Sequence, residues 1–428
     1  MSEKRLQPAQ RLSGVVHLPG DKSISHRLAI LGALAEGVTS LENFSSSRDC
    51  ASTLACLGQL GVEVSRAGEA VRIHGVGLAG LQRPQAPLDA GNSGATMRLL
   101  AGVLAGQAFE SVLVGDASLS RRPMRRVIEP LSQMGAHIEA RQGEFAPLRI
   151  RGGALRAIHY RLPVASAEVK TAILLAGLFA AGTTSVEEPI ATRDHTEIAL
   201  EEFGVQVTRA RRHIAVVGRA QLQGKQFVIP GDLSSAAFFL VAALLLPGSD
   251  LLLANVGLNP TRTAVLDFLR ELGAEISILG VERLNGELRG ELHVRAGGRL
   301  TGGSIAGKLT AQLIDELPVL AVLGTQTMQG LCIRDAAELR VKESDRIAAL
   351  AENLRRLGAA VKEYPDGLAV AGQQKLRGTA VDSFGDHRMA MALAVAALVA
   401  EGETTIRAAN CVDISFPGFF AALEACLR

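Results

Sequence analysis

Tryptophan is absent from the 428 residues, tyrosine occurs twice, and aromatic side chains make up only 4% of the chain. The formal net charge is only +2, from 45 basic and 43 acidic residues. Nucleic-acid binding usually needs a basic face and aromatic stacking platforms, so both absences argue against it. Any anionic ligand must therefore meet local cations, because there is no global field to draw it in. The five cysteines, Cys50, Cys56, Cys332, Cys411 and Cys426, are odd in number and include no Cys-x-x-Cys pair. That speaks against a disulfide frame and against a zinc site. The longest apolar run, Ala236 to Pro247, is too short to span a bilayer, and Met1 to Gln7 carries no apolar signal core. The expectation is a soluble, cytoplasmic protein with neither membrane nor nucleic acid as partner. No phosphate-loop or dinucleotide glycine fingerprint stands in a strand-to-helix context, and no Gly-x-Ser-x-Gly element marks a serine nucleophile.

What the chain does have is a repeat. An apolar helix, a small-residue turn and a β-rich run recur six times, with turn glycines at 37, 106, 182, 248, 324 and 402. The gaps are 69, 76, 66, 76 and 78 residues, longer than solenoid periods. Most units hold a second helix ending in an apolar-Gly pair before a strand, at Gly61, Gly135, Gly204, Gly273 and Gly358. Helices that are apolar all round must be covered on every side, most simply by one another with sheets outside. The fold class is α/β, with two similar domains of three αβ units each. Residues 20–229 form one domain, and residues 1–19 plus 230–428 form the other. The strand-like residues 6–18 are expected to complete the short sixth unit. Crossings at Pro19-Gly20 and Pro230-Gly231 make a double-crossover hinge.

The repeat aligns the helix starts. They read Gly20-Asp21-Lys22-Ser23, Gly91-Asn92-Ser93-Gly94, Ala165-Ser166-Ala167-Glu168, Gly231-Asp232-Leu233-Ser234-Ser235, Thr310-Ala311-Gln312-Leu313 and Gly385-Asp386-His387-Arg388. Equivalent helices in a three-fold domain point the same way, so several positive helix ends are expected to converge on one interdomain cleft that suits phosphates and carboxylates. Lys22, Arg27, Arg98, Arg121, Arg122, Arg193, Lys342, Arg346 and Arg388 lie around those starts. Any one of them alone is more simply a solvated charge at a helix cap. Asp315, Glu316 and Glu343 need a separate reason: carboxylates among cations stay ionised easily, so a proton-transfer role requires burial or bound anions to raise a pKa, which composition does not establish.

Together the motifs Leu18-Pro19-Gly20-Asp21-Lys22-Ser23, Gly91-Asn92-Ser93-Gly94, Arg340-Val341-Lys342-Glu343-Ser344-Asp345-Arg346, Gly385-Asp386-His387-Arg388-Met389-Ala390 and Ser415-Phe416-Pro417 run in order along the chain. In these it resembles the 5-enolpyruvylshikimate-3-phosphate synthase (3-phosphoshikimate 1-carboxyvinyltransferase) family of enolpyruvyl transferases. The resemblance implies transfer of the enolpyruvyl group of phosphoenolpyruvate to the 5-hydroxyl of shikimate 3-phosphate, without cofactor or metal, by a monomer. It implies that Lys22, Gly94, Arg122, Glu168, Arg346 and Arg388 meet phosphoenolpyruvate. It implies that Lys22, Ser23, Arg27, Ser166, Ala167, Arg193, Asp315 and Lys342 hold shikimate 3-phosphate. Asp315, Glu343 and Lys22 are the catalytic residues it implies. Glu168 departs from the family, which usually has Gln there, and is expected to be protonated or paired with an arginine. Ile414 stands where some members have Lys. Two alternatives stay open: UDP-N-acetylglucosamine enolpyruvyl transferase, which usually has a reactive Cys where this chain has Ala117, and a non-catalytic anion-binding relative.

Overall fold

Six helices form the interior: Lys22–Leu34, Gly94–Ala105, Ala167–Gly177, Leu233–Leu245, Leu317–Gly324 and His387–Val399. Each is named below by its first residue. Every residue from Ile24 to Leu34 is buried, as is every residue from His387 to Leu398. The structure, a computed structural model, describes residues 2–428. It divides into a first unit, Gly20–Ile229 with Leu284–Glu287, and a second unit, the residues through Pro19 with Pro230–Arg283 and Leu288–Arg428. In the first unit the Gly94 helix packs on the Ala167 helix and on the Lys22 helix, and in the second the Leu233, Leu317 and His387 helices pack on one another. Each set therefore supplies the cover that its apolar faces require. Among the described residues no helix is long and apolar enough to cross a membrane.

Five of the six core helices open on a side-chain cap. Asp21, Ser93, Ser166, Asp232 and Asp386 accept the backbone N–H of Ile24, Thr96, Val169, Ser234 and Arg388, which satisfies one of the donors that a helix start leaves over. The fifth start differs from the expected one. A short helix, Lys308–Gln312, stops, and the Leu317 helix begins after a break that contains Asp315 and Glu316. Pro318 sits in its first turn, where a missing N–H costs no hydrogen bond.

Among the described residues six small sheets lie outside the helices, five of four strands in one recurring order and one of three. A strand preceding a core helix pairs in parallel with the strand that follows it, as Leu88–Asp89 does with Glu110–Val114, and an antiparallel pair completes the sheet. The N-terminal residues depart from the expectation that they serve a single unit. Glu3–Leu6 lies antiparallel to Thr404–Arg407 in the sixth sheet, whereas Ser13–His17 lies parallel to Asp250–Gly257 in the fourth. The reason is an exchange: Ser13–His17 precedes the Lys22 helix but pairs in the sheet of the Leu233 helix. Gln226–Val228, which precedes the Leu233 helix, pairs with Glu36–Glu42 in the sheet of the Lys22 helix. The chain thus changes unit at Pro19-Gly20 and at Ile229-Pro230.

Close packing of the first unit rests on Gly102, where a Cβ would stand 2.3 Å from the backbone oxygen of Ala172. Alanine is favoured over glycine inside a helix by about 1 kcal/mol, but overpacking against rigid backbone costs about 1–3 kcal/mol or more. Gly102→Ala is therefore expected to lower the urea midpoint, and a raised midpoint would mean that the two helices separate without cost. His26 gives a second prediction. It is fully buried, and burial, reinforced by the charges of Lys22 and Arg27, lowers its pKa from 6.5 to about 3. The unfolded chain then binds a proton that the native state does not, so stability is complete above pH 6.5 and falls as pH drops toward 3. Between pH 7 and pH 5 the expected loss is about 2 kcal/mol from this group. His26→Gln should flatten that part of the pH–stability curve; an equal slope in parent and variant would exclude the assignment.

Candidate active site

In the first unit the opening turns of three core helices meet. Arg27 of the Lys22 helix donates from Nη2 to Thr171 Oγ1 on the Ala167 helix at 2.9 Å. Arg98 of the Gly94 helix donates to Glu168 Oε2 on the same helix at 2.7 Å. A chain of hydroxyls from His26 Nδ1 through Thr53 to Thr96, with steps of 2.7 Å each, links the Lys22 and Gly94 helices. Three positive helix ends are thereby gathered in one region.

The cations at these ends are held in different ways. Lys22 pairs with Asp49 Oδ2 at 2.6 Å, and Asp49 is itself buried in the first turn of the helix Arg48–Gln59. Arg122 is buried and donates to Asn92 Oδ1 at 2.7 Å, while Asn92 is held by Asp116 at 2.7 Å. A Cβ on Gly94 would lie 2.5 Å from Arg98 Nη1 and 3.4 Å from Arg122 Nη1. Glycine thus lets two guanidinium groups come close to a helix N-terminus, which is a favourable setting for an anion. Arg27 is buried without a carboxylate on it, and desolvation lowers its pKa to about 10 against the opposing charges of Glu168 and Glu197. Arg193 is close enough for its own charge to add to that lowering. Ser166 is committed to capping its helix, accepting from Val169 N at 3.3 Å, while Ser23 offers its backbone oxygen to Arg27 Nη1 at 2.9 Å.

The second unit gathers its helix starts by the same means. Ser234 Oγ donates to Glu316 Oε1 at 2.5 Å, joining the Leu233 and Leu317 helices. Arg388 reaches Asp315 by its backbone oxygen at 3.1 Å and by Oδ2 at 3.4 Å, joining the His387 and Leu317 helices. At the centre is Arg346, 1% exposed. It donates to Asp386 at 2.7 and 3.2 Å and to Glu343 Oε2 at 2.6 Å, and Asp315 Oδ1 lies 3.9 Å away. Burial alone would weaken its hold on its proton, but Asp386, Glu343 and Asp315 more than reverse this and raise its pKa. Lys342 is half-buried on the turn before Glu343 and makes no hydrogen bond or ion pair among the described residues.

Within each unit the expected residues are thus brought to the helix starts, but several of their closest partners were not expected. Asp49 holds Lys22, Arg98 holds Glu168, and Asp386 both caps a helix and grips Arg346. Thr171 and Thr196 hold Arg27. Of the two states foreseen for Glu168, the ion pair with an arginine is the one observed. The signal for Asp386 was present in Gly385-Asp386-His387-Arg388 but carried only a capping role. Asp49 follows a capping serine, Ser47, and had no local feature to single it out.

Residues 6–423 match the family model of EPSP synthase (3-phosphoshikimate 1-carboxyvinyltransferase). The chain is 55% identical over 422 residues to the 3-phosphoshikimate 1-carboxyvinyltransferase of Solibacter usitatus, with 99% of each chain covered. It is 55% identical over 425 residues to the enzyme of the same name from Koribacter versatilis, again with 99% of each covered. Among solved structures, EPSP synthase from Acinetobacter baumannii superposes with a TM-score of 0.88 at 40% identity, over 99% of this chain and 98% of that one. The chain therefore belongs to the EPSP synthase family, the 3-phosphoshikimate 1-carboxyvinyltransferases.

Proposed function

We propose that the two sets of charged residues serve one reaction, the enolpyruvyl transfer of this family, from phosphoenolpyruvate to the 5-hydroxyl of shikimate 3-phosphate with release of phosphate. Lys22, Arg122, Arg346 and Arg388 bind phosphoenolpyruvate, which approaches closely at Gly94 with Glu168 beside it. Ser23, Arg27, Ser166, Ala167, Arg193, Asp315 and Lys342, with Lys22, hold shikimate 3-phosphate. Glu343, assisted by Lys22, delivers a proton to C3 of phosphoenolpyruvate, which makes C2 cationic. The 5-hydroxyl oxygen bonds to C2 as Asp315 takes its proton, giving a tetrahedral ketal. Glu343 then removes a proton from the new methyl group as the C2–O bond to phosphate breaks. The observation that carries this reading is that one buried guanidinium, Arg346, lies against both carboxylates given proton-transfer roles, at 2.6 Å from Glu343 and 3.9 Å from Asp315. Such a group organises carboxylates and still offers charge to an anion. The reading has the chain act as a cytoplasmic monomer on these two small anions.

Phosphate release from phosphoenolpyruvate tests it, with shikimate 3-phosphate and UDP-N-acetylglucosamine offered as separate acceptors. Turnover only with the second, or with neither, would sink the proposal. Two variants test the roles. Lys22→Ala should cut kcat by at least about a hundredfold, since it removes both a binding charge and the partner of Glu343. Arg27→Ala should chiefly raise the KM for shikimate 3-phosphate, by about 10–100-fold, the worth of one or two charge-assisted hydrogen bonds. The opposite pattern would exchange their roles. Glu168→Gln keeps an acceptor for Arg98 while removing the negative charge. It is expected to lower the KM for phosphoenolpyruvate by about 3–10-fold, a modest effect because the pair is partly solvated. An unchanged or higher KM would show that Glu168 does not oppose the substrate's charge.

A further inference from the structure

Arg27 is a buried cation with no carboxylate in contact: its guanidinium is held by two hydroxyls and a backbone carbonyl, and Glu168 and Glu197 act on it only from beyond contact. Of its five N–H groups, Nε donates to Thr196 Oγ1 at 2.7 Å, Nη2 to Thr171 Oγ1 at 2.9 Å and Nη1 to the backbone oxygen of Ser23 at 2.9 Å. None of these partners carries charge, and no carboxylate forms an ion pair with Arg27 among the described residues. A neighbouring buried cation is treated in the opposite way: Lys170 Nζ lies 2.7 Å from Glu197 and 3.3 Å from Glu188. Burying a charge without a partner is costly. Its retention in one place and its neutralisation one helix away point to a charge kept for a ligand.

The directions of the hydroxyl bonds follow from counting protons. Thr171 Oγ1 donates its single hydrogen to the backbone oxygen of Ala167 at 2.7 Å. In the 2.5 Å contact between the two hydroxyls, Thr196 must then be the donor to Thr171. Both oxygens keep lone pairs for Arg27, and neither has a hydrogen left to offer elsewhere. Two N–H groups of Arg27 remain, one on each terminal nitrogen, a pair suited to two oxygens of a carboxylate or phosphate. The residues next along each helix set the gap between the hydroxyls, because Lys170 and Glu197 tie the Ala167 helix to the helix His195–Glu202. The same network touches three positions assigned to the acceptor: Arg27, the backbone of Ser23, and the first turn of the Ala167 helix.

We propose that Thr171 and Thr196 are positioning residues for acceptor recognition: their paired hydroxyls fix the plane of Arg27 so that its two remaining N–H groups meet an anionic group of shikimate 3-phosphate. The inference rests on the reaction proposed above. Neither threonine touches the reacting atoms, so the effect belongs in acceptor affinity and not in the chemical step.

Thr196→Val and Thr171→Val preserve shape and remove the hydroxyl. Each is expected to raise the KM for shikimate 3-phosphate by about tenfold or more, with kcat and the KM for phosphoenolpyruvate within about twofold of the parent. Thr196→Ser and Thr171→Ser, which keep the oxygen, should restore the parental KM. In an Arg27→Ala background, Thr196→Val should add nothing further, because the hydroxyl acts through the arginine. Should Thr196→Val not fold, Thr196→Ala leaves room for a water on Arg27 Nε and reads the same quantity, with a several-fold rise expected. A KM for shikimate 3-phosphate indifferent to the loss of either hydroxyl would overturn the positioning role. So would Ser variants as impaired as the Val variants, kcat and both KM values moving together, or full additivity with Arg27→Ala. A parent chain that releases no phosphate with shikimate 3-phosphate would instead overturn the reaction on which the inference rests.

Discussion

Six helices covered by apolar neighbours leave charge almost nowhere to go in the interior except their ends, and the rest of the structure follows from that constraint. An apolar helix buried along its whole length still presents unsatisfied N–H groups at its first turn. Five of the six meet this with a side-chain cap, and the sixth with a proline in the first turn. Because three such helices pack together within each unit, their opening turns fall side by side. Contacts such as Arg98 to Glu168 and Arg388 to Asp315 run between neighbouring starts. Each set of helix starts is therefore a by-product of how its own core is covered: the polar layer that the packing leaves within a unit is also the layer where helix dipoles favour anions.

At the helix starts of its two units the chain buries cations in three ways, and the differences point to different work. Lys170 is neutralised by Glu188 and Glu197, and burial raises the Glu197 pKa against the pull of Lys170. Removing one member of such a set typically costs about 3–5 kcal/mol, so its role is to hold helices in register. Arg346 is surrounded by three carboxylates, so it fixes their positions while its own charge stays in place. Arg27 has hydroxyls and a carbonyl only, and its charge is the least compensated. A fold does not keep an uncompensated buried charge for stability, since a hydrophobic residue of like volume would serve better there.

Much of this was legible in the sequence because it is local. The capped starts at Asp21, Ser93, Ser166, Asp232 and Asp386 are short-range patterns, and so are the glycines after the second helices. Gly61, Gly135, Gly204, Gly273 and Gly358 all have positive φ, which an L-residue with a side chain adopts only under strain. The turn glycines were less uniform, since Gly106 closes its helix in a right-handed conformation and Gly324 remains helical. What was not legible is non-local. Nothing in Ser13–His17 indicates that it pairs with the fourth sheet while Glu3–Leu6 goes to the sixth. Thr171 and Thr196 look like ordinary small polar residues on two helices, and their meaning appears only when Arg27 lies between them. Asp49 likewise became part of the site only through a contact 27 residues away in sequence.

The arrangement around Arg346 also bears on how two proton transfers can proceed in a buried setting. On the proposed roles, Glu343 gives up a proton in the addition step while Asp315 gains one. One carboxyl group becomes charged as the other becomes neutral. Both lie on the same guanidinium, at 2.6 and 3.9 Å, so the sum of charge facing Arg346 is the same before and after. Asp315 is also 3.4 Å from Arg388, so its protonation weakens that second pair, and the balance holds at Arg346 alone, in a medium where an uncompensated change would be expensive. Sharing Arg346 lowers the cost there, and Asp386, with two hydrogen bonds to Arg346, anchors the guanidinium between the two carboxyl groups. A stationary cation between two exchanging carboxyl groups is a preorganised environment, which is where most of the electrostatic contribution to catalysis arises.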